Sequence, residues 1–171
     1  MKSYEIKLKK ATPNQTTSKM FSHFLWPKNF DEHRLEDYIC LLQLNLEEIS
    51  EHPLPVKDGW LQFFVSKEDL EVELLYIPKN TELIIINSDE EGYDVEFEGA
   101  TNNEGIRLFG KPCELNETFD DFIFMLLQYD PLADERLTFL NHVDGFLYIM
   151  IHQENLDLKN WELAFSVLDR T

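Results

Sequence analysis

Four short anchors occur twice in this chain, in the same order and at nearly constant spacing. Lys19-Met20-Phe21 returns as Arg107-Leu108-Phe109. The run from Asp37 to Asn45 returns from Asp121 to Asp130, read with one residue inserted in the second copy. Asp58-Gly59-Trp60-Leu61 returns as Asp144-Gly145-Phe146-Leu147, and Lys67-Glu68-Asp69-Leu70 as Gln153-Glu154-Asn155-Leu156. The separations of Phe21/Phe109, Leu41/Leu126, Gly59/Gly145 and Leu70/Leu156 are 88, 85, 86 and 86 positions. Self-similarity at a fixed period means that one supersecondary unit was copied, so any fold must hold that unit twice. The expected organisation is a single domain, 1–171. It comprises copy one at 18–78, an acidic connecting segment at 79–106 and copy two at 107–168, with the halves related by a pseudo-two-fold axis.

Each anchor has a local meaning. Segments 38–44 and 122–129 are rich in aromatic and branched residues, as buried strands are. Each ends at an amide, Gln43 or Gln128, followed by Asn45 or Asp130 where the chain turns away. The Asp-Gly pairs suit a turn that needs positive φ. In 60–65 the residues Leu61, Phe63 and Val65 share one face and Trp60, Gln62 and Phe64 the other, and Leu147, Ile149 and Ile151 oppose Phe146, Tyr148 and Met150 in the second copy. Two apolar faces predict interior strands covered on both sides. Leu83-Ile84-Ile85-Ile86 predicts a short strand and 93–97 alternates weakly. Segments 46–51 and 131–139 are expected as short helices, the second opening on Pro131. The predicted class is α+β: an internally duplicated unit with an antiparallel or mixed sheet and few short helices.

At these residues the chain resembles the YwqG-like family, domain of unknown function 1963. The matching elements are Ser18-Lys19-Met20-Phe21 with Leu25-Trp26-Pro27, Leu41-Leu42-Gln43-Leu44-Asn45, Leu54-Pro55, and Gly59-Trp60-Leu61-Gln62-Phe63-Phe64. The second half adds Leu126-Leu127-Gln128-Tyr129-Asp130 and Asp144-Gly145-Phe146-Leu147-Tyr148. Ser22-His23 and Gly110-Lys111 stand where members of that family usually carry two adjacent glycines. The resemblance spans about residues 18–168. It implies a duplicated α+β fold in a bacterial cytosolic setting, an accessory or immunity-type association, and no agreed activity.

Charge sets the choice of partner. Thirty-three acids face fifteen Lys and Arg, a formal charge of −18. Such a surface repels nucleic acid and anionic lipid and attracts a basic protein. Residues 80–106 hold eight acids and no Lys or Arg, which makes Asp89, Glu90, Glu91, Asp94, Glu96 and Glu98 a candidate docking stretch. The N-terminal residues, Met1 to Ala11, carry four lysines and no continuous apolar run, unlike a secretory signal. The apolar run Phe122 to Leu127 is too short to span a bilayer. With only Cys40 and Cys113, no disulfide framework is expected. The expected compartment is the cytoplasm.

Catalytic patterns are missing from the sequence. His23, His33, His52, His142 and His152 are scattered, and Asp31-Glu32-His33 with Glu36 and Asp37 reads as a solvated helix start. Cys113, after Lys111-Pro112 and before Glu114, reads as a turn cysteine. No Walker loop, G-x-G-x-x-G or G-x-S-x-G occurs. No catalytic, cofactor-binding or metal residue is therefore assigned, and no cofactor is expected. Gln43, Asn45, Trp60 and Gln62 with Gln128, Asp130 and Tyr148 are the candidates for a cleft between the halves. Their alternative role is to satisfy backbone groups where strands leave the sheet. The leading functional expectation is a non-enzymatic protein-binding module, such as an immunity-type inhibitor of a basic toxin. The alternatives are a small-ligand binder using that cleft, and an enzyme of unknown class.

Overall fold

The computed structural model describes residues 2–31, 35–88, 91–113 and 119–170. In chain order its strands are β1 (Tyr4–Lys10), β2 (Lys19–Met20), β3 (Phe24–Pro27), β4 (Tyr38–Asn45), β5 (Trp60–Ser66), β6 (Val72–Ile77), β7 (Leu83–Ile86), β8 (Tyr93–Gly99), β9 (Arg107–Leu108), β10 (Ile123–Tyr129), β11 (Gly145–His152) and β12 (Phe165–Arg170). The one α-helix among the described residues is α1 (Gln153–Leu158).

This content corrects the α+β expectation. Strand makes up 43% of the described residues and helix 8%, so their regular structure is nearly all sheet. Two things moved the class. Segments 4–10, 72–77 and 165–170, left unassigned by their weak patterns, are strands. The two expected helices are not α-helical. At Leu46–Glu48 a single 3-10 turn forms, because Asn45 Oδ1 accepts from Glu47 N and Ile49 N donates back to Leu46 O at 3.4 Å. Across 131–139, Asp130 Oδ1 accepts from Leu132 N and Asp134 Oδ1 from Arg136 N. Such side-chain turns compete with helical bonds for the same backbone donors. The strand pairings described below are all antiparallel, so no mixed sheet is seen in them.

The chain divides into two compact units. One holds Leu8–Ser50 and Val56–Glu96; the other holds Met1–Lys7, Glu51–Pro55 and Phe97–Thr171. Strands β1 and β8 run through the division. The first residues of β1 go with the second copy because Tyr4 and Glu5 pair with Leu108 and Arg107 of β9.

In the 8–96 unit the sheet runs β8-β2-β4-β5-β6. All seven residues of β5 are buried, consistent with its two apolar faces and its position between β4 and β6. Burial of side chains such as Leu61, Phe63 and Val65 contributes roughly 1.5–3 kcal/mol each before entropy is charged against it. A separate ribbon, β3 with β7, lays Trp26 and Leu25 over the sheet. Trp26 packs with Cys40 and Phe64, and Leu25 with Trp60 and Ile77.

In the other unit the sheet runs β1-β9-β10-β11-β12. Met125, Tyr148 and Met150 form a core flanked by Phe119, Phe146, Phe165 and Val167. The two units repeat several local features. Both carry a bulge in the strand of the Leu-Gln anchor, between Cys40 and Leu42 and between Met125 and Leu127. Tyr38 faces Ser66 and Ile123 faces His152. The register thus matches Ile123 to Tyr38, and Phe122 to Asp37, with no insertion inside the strand. Gly59 and Gly145 hold φ of +83° and +148°. A Cβ on either would lie 2.3 Å from Ile77 O or 2.1 Å from Asp169 O, so only glycine lets the neighbouring strand approach.

Among the described residues no helix is long and apolar enough to cross a membrane.

Candidate functional site

One row of side chains runs across each sheet, and the two rows correspond. In the 8–96 unit, strand register aligns Asp94, Lys19, Gln43, Gln62 and Leu75. In the other unit it aligns Glu5, Arg107, Gln128, Tyr148 and Val167. Directly opposed residues on antiparallel strands project from the same face. Each row therefore reads acid, base, glutamine, hydrogen-bond donor, apolar residue.

The two glutamines have three bonds in common. Gln43 Nε2 donates to Gln15 O at 2.9 Å and Thr17 O at 3.2 Å, and Gln43 Oε1 accepts from Leu25 N at 2.8 Å. Gln128 Nε2 donates to Asn103 O and Gly105 O, both at 2.9 Å, and its Oε1 accepts from Cys113 N at 3.4 Å. The partners are offset by 88 positions in all three cases, the same offset as Phe21 and Phe109. Their row neighbours agree as well. Gln62 Nε2 donates to Leu25 O at 2.5 Å, and Tyr148 Oη donates to the equivalent Cys113 O. Each row thus clamps two separate stretches of backbone onto the sheet, residues 15–17 and Leu25 of β3 in one unit and residues 103–105 and Cys113 in the other.

The predicted residues fall into place around these clamps. Gln43, Asn45, Trp60 and Gln62 come together: Asn45 Nδ2 and Trp60 Nε1 both donate to Thr16 O, at 2.9 and 3.0 Å. Gln128 and Tyr148 come together in the other unit, while Asp130 caps the turn that follows β10. Gln43, Gln62, Gln128 and Tyr148 are wholly buried and bond to the chain's own backbone, with one side-chain bond besides, from Gln62 Nε2 to Gln43 Oε1 at 3.0 Å. Burial also pushes the Tyr148 and Tyr129 phenols well above the usual tyrosine range, and Tyr129 Oη donates to Phe139 O at 2.8 Å.

The cations beside the glutamines were not singled out as site residues in the sequence. Their signal was present, however: a base recurs at one repeat position in a chain with few bases. Lys19 is 1% exposed and ion-pairs with Asp94, which also accepts from Thr12 N at 2.9 Å. Burial opposes ionisation of Asp94, but the bonds from Lys19 and Thr12 outweigh it and hold the carboxyl below the usual carboxylate range. Arg107 is 2% exposed. Its Nη1 donates to Asn103 Oδ1 at 3.1 Å and its Nη2 to Lys111 O at 2.9 Å, while its Nε has no partner among the described residues. Burial draws the guanidinium below its ordinary value, opposed by the nearby Cys113 and Tyr148. Glu5, in the position of Asp94, bonds instead to Lys7.

The acidic docking residues are dispersed in role. Asp89 and Glu90 lie outside the described residues. Asp94, Glu96 and Glu98 alternate along one face of β8, but Asp94 serves Lys19 and Glu96 pairs with Lys9 at 2.6 Å. Glu91 is exposed. Of the Asp31–Asp37 group, Glu32 and His33 lie outside the described residues. His23 accepts from Ser88 N at 2.8 Å and His52 stacks on Phe109. Among the described residues no three His, Cys, Asp or Glu side chains gather as a metal would need. Cys40 is buried and its thiol is pushed up in pKa by desolvation, whereas Cys113 is half-buried in an irregular segment.

Compared with family models and with curated proteins, the chain matches none, so the YwqG-like resemblance rests on the residues quoted for it.

Proposed function

We propose that the chain is a binding module for a basic protein, with docking centred on Phe122. The observation that carries this is the contrast between equivalent positions. Phe122 O accepts from Gln153 N at 2.9 Å as Asp37 O accepts from Lys67 N at 3.1 Å, so the two residues hold the same place. The fold accepts a charged aspartate there. Phe122 is nevertheless aromatic and 72% exposed, which folding does not require. In the same unit Leu158 and Leu163 are 64% and 49% exposed. Acids neighbour each of the three: Asp120 and Asp121, Asp157, and Glu162. An exposed aromatic anchor and exposed leucines, each beside acids in the sequence, favour a partner that offers apolar pockets rimmed by Lys and Arg.

The net charge of −18 supports the same reading. It steers a basic partner and disfavours nucleic acid. An immunity-type inhibitor acting by occlusion is the specific form of this function. The test is binding of the purified chain to a panel of basic proteins at low and moderate salt. The expected result is affinity and on-rate that fall with salt, and at least a tenfold loss in Phe122→Ser with an unchanged melting temperature. Binding indifferent to both salt and Phe122 would reject the proposal.

A further inference from the structure

We propose that Arg107 binds a small oxyanion, a carboxylate or phosphate-type group taken from solution. A guanidinium has five N–H donors in a planar fork. Among the described residues two groups accept from this one, Asn103 Oδ1 and Lys111 O, and both are neutral. The Nε–H has no acceptor among the described residues, although Arg107 is 2% exposed. Among the described residues no carboxylate pairs with it. A buried charge is retained at a cost that a counter-ion offsets. The equivalent Lys19 shows how this fold normally meets that need, since Asp94 from the adjoining strand neutralises it. At the corresponding place Glu5 is engaged by Lys7. Among the described residues the second row thus keeps the cation and supplies no balancing anion.

The local geometry suits a planar or tetrahedral oxyanion. Nε–H and the neighbouring Nη2 form the fork edge that carboxylate and phosphate oxygens accept in pairs. Gly110 lies beside that edge: a Cβ there would stand 3.7 Å from Nη2 and 3.3 Å from Ser3 Cβ, so a side chain at 110 would crowd both. Lysine in the Lys19 position needs no such edge, being a point charge facing one carboxylate.

The chain has four arginines, Arg34, Arg107, Arg136 and Arg170. The Nε–Hε resonance of Arg107 can therefore be assigned in the 15N-labelled full chain by replacing the other three in turn with lysine. Phosphate and acetate are then titrated separately at constant ionic strength. The expected result is a saturable shift of the Arg107 resonance alone, with a saturable rise in melting temperature. A response to phosphate only, to acetate only or to both distinguishes the ligand source, and each supports the site. A resonance that neither anion moves overturns the proposal. So does a resonance that Glu5→Gln displaces in the absence of added anion, because Glu5 would then be the counter-ion. Arg107→Lys, which keeps the charge and loses the fork, is expected to abolish the anion-dependent rise in melting temperature.

Discussion

Gln128→Glu exchanges one NH2 group for one oxygen and changes little else in shape. In the folded chain that NH2 faces the carbonyl oxygens of Asn103 and Gly105, at 2.9 Å each. An ionised glutamate there removes two donors and sets a third acceptor against two others, and a protonated one restores a single donor. Each buried carbonyl left without its donor costs about 1–3 kcal/mol. Gln128 is wholly buried, so an ionised glutamate must also give up its hydration and protonates instead. The expected loss near pH 8 is about 4 kcal/mol, a large share of the roughly 5–15 kcal/mol that holds a domain together. The pH dependence has a definite sign. The folded-state pKa of the new carboxyl is raised above its unfolded value of about 4.3. Relative to the wild type, the variant's deficit is therefore smallest below that unfolded value and grows as pH rises through the folded one. Urea denaturation of both proteins at several pH values measures it. Gln43→Glu should behave alike, because its NH2 faces Gln15 O and Thr17 O. A loss under about 1 kcal/mol near pH 8, or one independent of pH, would show that the amides are not clamping the backbone.

Gly145→Ala and Gly59→Ala should each cost about 3 kcal/mol, or roughly 6–12 °C in melting temperature, through positive φ and a Cβ forced onto a strand carbonyl. Gly99→Ala, which meets nothing within 4 Å, is the control and should leave the melt unchanged. Asp94→Asn strands the buried Lys19 and should cost about 3–5 kcal/mol; Lys19→Met should cost less, because Asp94 keeps some solvent and its Thr12 bond. Since the folded-state pKa of Asp94 is depressed, its contribution is present above the unfolded value of about 3.9 and lost as pH falls through the folded one. The stability gap between wild type and Asp94→Asn should therefore close in acid, which pH-dependent denaturation will report.

The central strands were legible because both faces of 60–65 and of 146–151 are apolar and because Asp-Gly announces the turn before each. The edge strands were not. In β6 only Leu74 and Ile77 are buried, and β12 buries only Asp169. Half-exposed strands of this kind take their conformation from the neighbour they pair with, as Val72–Ile77 does from β5. The glutamines were legible as strand-end residues by their recurrence. Their bonds were not, because Gln43 reaches back 28 positions to Gln15 and no local rule sets that distance. Lys19 and Arg107 stood in the repeat from the outset, but an isolated base in a soluble chain is ordinarily on the surface. Only the register, which buries both beside the glutamine, separates them from the other bases.

Residues 8–96, apart from 51–55, leave the ribosome as a nearly continuous block that can complete its own contacts early. Tyr4 and Glu5 are in a different position. Their strand partners are Leu108 and Arg107, synthesised about a hundred residues after them. Closing so large a loop is entropically slow, and an unpaired strand edge invites wrong partners while it waits. Refolding of the unit that holds the N-terminal residues should accordingly lag the other, and shortening the chain from its start should harm the later half of the sequence more than the half beside the cut.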